Sequence, residues 1–354
     1  MRSNNLSAGL ICGLSILFFL NISLTTNGQL LQDTSAVKLI RKGIGLIYGQ
    51  EFNRAEEILT KVNEKYPEHP ATYLYKAIII YYQNYPLIPA NPRFKGFESQ
   101  LRTSMRICES KGGWLNDPEK LLIDFCARGL LMLCYSENGM SNEVISIALT
   151  TYKCVRKSFQ YKSVYPDFCY FTGLYNYYRE AYPDRHPVYK PIAILFPRGD
   201  KVEGLKDIQY AAENGIVLMA EAYSILSWIY IYYENNYAQA INYSKTISEK
   251  YPSNLLFRGE YIKNLLFLKK YDDAEKIVQS SESENHAYFQ GQLSVFKGIL
   301  QEQKYNNYTL AARFYEQAIG AMKQFGPRGN EFTDYAEDGL KRIKGYQARK
   351  KSTL

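Results

Sequence analysis

EFNRAEEILTKVNEKYPEHP, residues 51–70, holds the pattern on which the fold turns. Ala55, Ile58, Leu59 and Val62 recur at helical spacing and share one face, and Tyr66-Pro67 closes the run. A single amphipathic helix of this kind is common; its recurrence is what carries information. NNYAQAINYSKTISEKYPSN (235–254) repeats the plan, with an aromatic residue (Phe52, Tyr237) fifteen residues before the closing proline (Pro67, Pro252). A small residue (Ala55, Ala240) lies twelve before it, and Lys-Tyr precedes the proline both times. Tyr271 and Ala274 follow Tyr237 and Ala240 by 34 residues, and Tyr308 and Ala311 follow 37 later, with Tyr315 and Ala318 completing the pattern.

A period near 34 with small, aromatic and proline positions in this order resembles the tetratricopeptide repeat (TPR). Leu39, Gly43, Ala55, Leu59 and Pro67 match the family's recurring positions in the first unit. The resemblance is good in 36–69, fair in 221–325 and poor between. It implies an all-α fold: a right-handed superhelical array of antiparallel helix hairpins, an α-solenoid of about seven hairpins. Gly43, Ala55, Ala240, Ala274, Ala311 and Ala318 would be small because paired helices cross closely there, and Pro67 and Pro252 would stop their helices. Trp228 and Ile299 stand where the family has a small residue, so packing there must be looser or offset.

The repeat domain spans 29–346, with an N-terminal repeat at 36–69, divergent hairpins over 70–215 and C-terminal repeats over 216–325. Helices are expected over 71–84, 95–109, 118–136, 142–157 and 166–181. YPLIPANPRF (85–94) carries three prolines and must be loop. Asp117-Pro118-Glu119 is a helix start, with a cap, a proline in the first turn and an acid behind it. The stretch 182–200 is the longest expected loop, and Asp200 to Glu203 forms a capping-box pattern launching a helix to Asn214-Gly215. A helix over 331–346 caps the array, and 347–354 is a basic tail. FTGLYNYY (171–178), Phe196, Gly199-Asp200 and GLKDIQYAAENG (204–215) also resemble the middle of a eukaryotic TPR family linked to clearing protein inclusions.

Residues 1–28 differ from the rest: Arg2 is the only charge, and LICGLSILFFL (10–20) is an uncharged, mainly apolar run before Thr26-Asn27-Gly28. This is the layout of a secretory signal peptide, too short an apolar run for the roughly 20 residues a bilayer span needs. An uncleaved anchor is the alternative. Without Arg2 the formal charge of +8 becomes +7. The Lys-, Asn- and Tyr-rich composition is similar to that of exported TPR proteins of Bacteroidota bacteria, which implies the periplasm or cell surface. No second apolar stretch of spanning length follows, so the mature chain is expected to lack a transmembrane segment. The basic end KRIKGYQARKKSTL (341–354) can bind nucleic acid or acidic lipid, or simply oppose a helix dipole; an exported chain leaves nucleic acid aside. Cys108, Cys126, Cys134, Cys154 and Cys169 follow the leader, an odd number without a CxxC, and read as buried thiols.

No catalytic constellation is visible. His69, His186 and His286 are the only histidines and lie far apart, with no spacing suited to zinc, so neither metal nor cofactor is expected. Gly112-Gly113 lacks the strand a phosphate loop requires, and the acidic pairs Glu56-Glu57 and Asp272-Asp273 sit on solvated helical faces. The resemblance places groove residues on the first helix of each hairpin: Ile44, Ile47 and Tyr48; Ile229, Tyr232 and Tyr233; Lys263, Leu266 and Phe267; Leu300, Gln303 and Lys304. These are mostly aliphatic or aromatic, which suits an apolar peptide better than an acidic tail.

Three readings follow. The first is a non-catalytic scaffold or adaptor for other envelope proteins or peptides. The second is an enzyme with its site around 182–200, using His186, Asp184 and Asp200. The third is a carbohydrate- or lipid-binding module using the Tyr-rich groove, and 33 tyrosines in 354 residues favour any wide amphipathic surface.

Overall fold

The computed structural model describes residues 29–110 and 112–352. The leader expected over 1–28 lies outside the described residues. The helices are α1 (Thr34–Tyr48), α2 (Phe52–Lys65), α3 (Pro70–Gln83), α4 (Phe94–Glu109), α5 (Pro118–Glu137), α6 (Ser141–Ser158), α7 (Asp167–Arg185) and α8 (Lys190–Ala193). They continue with α9 (Lys201–Asn214), α10 (Met219–Tyr232), α11 (Tyr237–Lys250), α12 (Leu255–Phe267), α13 (Tyr271–Ser280), α14 (Ala287–Gln303), α15 (Tyr308–Met322) and α16 (Asn330–Ser352). No strand occurs among the described residues, and no helix there is long and apolar enough to cross a membrane.

Consecutive helices pair as seven hairpins: α1/α2, α3/α4, α5/α6, α7/α9, α10/α11, α12/α13 and α14/α15. α16 packs on the last pair and closes the array. The small residues sit where the pairs cross. A methyl on Gly43 would fall 2.7 Å from Leu59, and Ala55, Ala240, Ala274, Ala311 and Ala318 have no solvent exposure. In α10 and α14 the crossing is shifted one residue toward the N-terminus. Ser227 is buried while Trp228 turns outward, and Gly298, not Ile299, meets the ring of Tyr315. In the fourth hairpin Gly173 and Gly204 face each other so closely that a methyl on either would strike backbone atoms 2.7–2.8 Å away.

A second device repeats where sequence patterning is silent. Gln50, Asn235, Lys269 and Asn306 all take positive φ, between 53° and 65°, each two residues before Phe52, Tyr237, Tyr271 or Tyr308. The same left-handed turn therefore reverses the chain in four hairpins, without a glycine at the positive-φ position in any of them.

Two expected boundaries are corrected. The segment 182–200 is not irregular throughout. α7 runs on to Arg185, because buried Ala181 and Pro183 still pack and a proline in the last turn forfeits only one helical bond. A 3₁₀ turn at Pro187–Tyr189 and the single turn of α8 follow. The end of the chain is also helical beyond 346, since α16 continues through Ser352 in what was expected to be a tail.

The array closes on itself, which an open superhelical groove does not. The largest core cluster joins residues of the first three hairpins to Ile216, Val217, Ile247, Tyr251 and Phe257. Arg41 donates to the carbonyls of Gly215 and Asn214, and Asn254 donates to the carbonyl of Tyr48. Farther along the seam Arg328 pairs with Glu137 and lies over the ring of Tyr85, while Gly139 abuts Pro327. Carboxylates tie backbone ends together as well. Asp167 accepts from the amides of Ile216, Val217 and Leu218, and Glu119 from those of Leu30 and Leu31.

Candidate functional site

The closure sorts the expected groove residues. Tyr48 is corrected from groove to core: it is 1% exposed, its hydroxyl donates to Val217 and Glu221, and its ring packs on Tyr82, Tyr251 and Phe257. The half-buried carboxyl of Glu221, which also accepts from Tyr82, is pushed up by burial to about 6, with the two phenols partly offsetting the rise. Gln303 is exposed, and Lys304 is held by Asp272 and Glu275 beside α13. Neither joins the surface described next.

Tyr232, Tyr233, Lys263 and Phe267 do come together. They belong to a strip of rings running from α7 across α10 and α12 to α16. Tyr178 stands edge-on to Tyr233 at 5.3 Å, and Trp228 lies 5.4 Å from Tyr233 and 5.0 Å from Tyr232. The Tyr232 hydroxyl is 2.7 Å from that of Tyr335, whose ring is 5.7 Å from Phe267. Arg185 lies over the ring of Tyr233 at 4.8 Å. Trp228 is 38% exposed, an unusual exposure for the largest apolar side chain, and its neighbours in the strip are half-buried.

Beneath the strip is an ion cluster. Lys263 is 2% exposed and pairs with Glu260 at 2.8 Å and Glu331 at 2.9 Å. Tyr232 and Tyr335 both donate to Glu331. Burial opposes the charge on Lys263, but the two carboxylates outweigh it and hold the ammonium well above its usual range. Burial also raises Glu260, while Lys263 brings Glu331 below its ordinary value. Burial pushes the phenol of Tyr232 up to about 12, against the pull of Lys263, so these hydroxyls stay neutral donors at physiological pH. The arrangement offers ring faces to an incoming chain, with the Tyr232 and Tyr335 hydroxyls held by Glu331 and the buried Lys263.

Sequence reasoning missed Tyr178, Trp228, Glu260, Glu331 and Tyr335. Trp228 was readable only as a packing misfit, and the one-residue shift that turns it outward has no sequence signal. Glu331 and Tyr335 lie on the closing helix, outside any repeat register.

The enzyme candidates are not assembled. Asp184 lies 3.6 Å from Lys190, Asp200 caps α9 by accepting from the amide of Glu203, and the His186 ring lies tilted 4.4 Å from Tyr182 and edge-on to Tyr189 at 6.4 Å. His69 and His286 cap helices. His286 accepts from the amide of Phe289 through Nδ1 and donates through Nε2 to the carbonyl of Tyr85, so both nitrogens are engaged. It borders an open cleft of about 320 Å³ lined by Asn84, Tyr85, Pro86, Tyr288 and Phe325. Cys108, Cys126, Cys134, Cys154 and Cys169 are buried and free, and burial raises each thiol above its ordinary value. Among the described residues no group of three or more His, Cys, Asp or Glu could hold a metal ion.

No protein-family model matches the chain, and no curated protein matches it. Among solved structures, a tetratricopeptide repeat protein from Parabacteroides merdae ATCC 43184 is similar, with 15% identity over 85% of this chain and 98% of that one. Its TM-score of 0.34 is too low to fix anything beyond what the helices themselves show.

Proposed function

We propose that this chain is a non-catalytic helical-repeat scaffold that is exported and holds other proteins or peptides in the cell envelope. One observation carries the binding part: a continuous, partly exposed strip of aromatic rings built from four non-adjacent helices, α7, α10, α12 and α16. Interfaces draw their affinity from clustered Trp, Tyr and Arg, and stacked hairpins display such residues along one extended face. The apolar leader and the composition support export. Outward-turned aromatics on which no nucleophile or base converges support a holding role over turnover.

A photo-crosslinking side chain placed at Trp228 or Phe267, and at exposed Gly320 as control, tests this in the native envelope. The expected result is a discrete adduct from the strip positions that is absent from Gly320 and weakened about tenfold when Tyr232 is replaced by Ala, a typical hot-spot loss of 1–3 kcal/mol. Equal labelling at all three positions, or turnover of a small molecule by the purified chain, would reverse the reading. N-terminal sequencing of the envelope form tests the export part.

A further inference from the structure

We propose that a second surface, away from the aromatic strip, seats the protein on an anionic lipid bilayer. The segment after α7 displays Val188, Ile194 and Leu195 at 78%, 79% and 80% exposure, and α6 displays Ile145 and Leu149 at 70% each. Phe196 joins the two parts through an edge-on contact with Tyr152 of α6 at 5.1 Å. Aliphatic side chains this bare on two adjoining elements form an apolar patch of the kind that marks an interaction site.

The surrounding charge selects the occupant. Arg198 and Lys190 are exposed on the same segment, Lys153 and Arg156 are exposed on α6 beside Tyr152, and Arg179 donates to the carbonyl of Phe196. The acids on this side are largely occupied. Asp184 faces Lys190, Asp200 caps α9, and Glu180 accepts from the amide of Lys201. Glu143 stands at the start of α6. An aliphatic tip with Tyr182, Tyr189 and Phe196 around it and cations behind matches the requirements of interfacial insertion. Apolar side chains enter the acyl boundary, aromatic rings rest among the headgroups, and cations meet anionic phosphates. A protein partner would need complementary apolar shape, whereas a bilayer needs only the exposed aliphatic side chains and the surplus of cations over acids around them.

The test uses the chain as purified from its native envelope. It is sedimented with vesicles of phosphatidylcholine alone and with phosphatidylglycerol added. Binding is expected to the anionic vesicles only, and to weaken as salt is raised. The double replacement Ile194→Asp and Leu195→Asp is expected to lower the partition coefficient at least tenfold, and Lys190→Glu with Arg198→Glu likewise. Leu195→Trp should show a blue-shifted emission on vesicle addition, a positive signal that does not depend on loss of function. Trp228→Ala should leave vesicle binding unchanged, which separates this surface from the strip. Failure of the unaltered chain to bind anionic vesicles overturns the proposal, as does binding indifferent to the double Asp variant. Self-association abolished by that variant, with no vesicle binding, assigns the patch to a second copy of the chain and overturns it too.

Discussion

At the scale of single residues, the repeat is enforced by two kinds of position with opposite tolerances. Gly43 has no room for a side chain, because a methyl would meet Leu59 at 2.7 Å, whereas Gly320 is an exposed helical glycine with nothing within 4 Å. Gly43→Ala is therefore expected to cost about 1–3 kcal/mol through overpacking. Gly320→Ala should gain about 0.5–1 kcal/mol by restricting the unfolded chain. Urea unfolding of the pair checks both signs. Lys269 is the other kind: it holds φ at 57°, where a side chain is strained, at a turn that Asn fills in two sister hairpins. Lys269→Gly is expected to raise stability by about 0.5–1 kcal/mol, relief of left-handed strain less the added entropy of glycine. The alanines and prolines of this device were legible from spacing alone. The turn residues were not, because Gln50 and Lys269 take the same left-handed position as Asn235 and Asn306, so no single residue type marks it.

At the scale of helices, pairing was legible wherever an amphipathic run ended in a stop signal, and boundaries slipped where tertiary contacts override local rules. α7 outlasts its expected end because Pro183 is buried, and α16 outlasts its own through a basic stretch that composition alone assigns to a tail. The candidate site shows the same limit. Tyr232, Tyr233, Lys263 and Phe267 were found by register, but the helices that complete their surface come from outside that register. Between elements, the most consequential charge is Glu221 on α10, lodged under Tyr48 of α1 and Tyr82 of α3. Its folded value of about 6 lies above the ordinary 4.5, so the folded protein binds this proton more tightly than the unfolded chain does. The stability it contributes is present below pH 4.5 and is lost as pH rises toward 6, about 2 kcal/mol for a shift of this size. Glu221→Gln cannot titrate. The variant should gain about 2 kcal/mol on the unaltered protein between pH 4 and pH 7, read from urea midpoints at each pH. A constant difference across that range would show that burial does not perturb the carboxyl.

At the scale of the whole molecule, the decisive feature is one that no local pattern announces. The resemblance placed groove residues on the first helix of each hairpin, and in an open array each unit touches only its neighbours, so damage spreads no farther than the next hairpin. Here the first hairpin also packs on the fifth and sixth, through Tyr48 to Val217, Glu221, Tyr251, Phe257 and Asn254. The crossings at Ser227 and Gly298 are each shifted by one residue from the family's position. Sequence spacing does not record those shifts. Closure predicts non-local coupling. Tyr48→Ala removes a fully packed ring and leaves Glu221 short of one donor, so amide protection should fall across residues 216–257 as well as in α1 to α3. Hydrogen exchange read by mass spectrometry distinguishes the two architectures. Loss confined to the first two hairpins would mean that the seam is a surface contact without energetic weight. Loss reaching α10 and α12 would mean that the ends of the array stabilise each other, leaving the outward-turned rings of α10 and α16 as the face free to meet a partner.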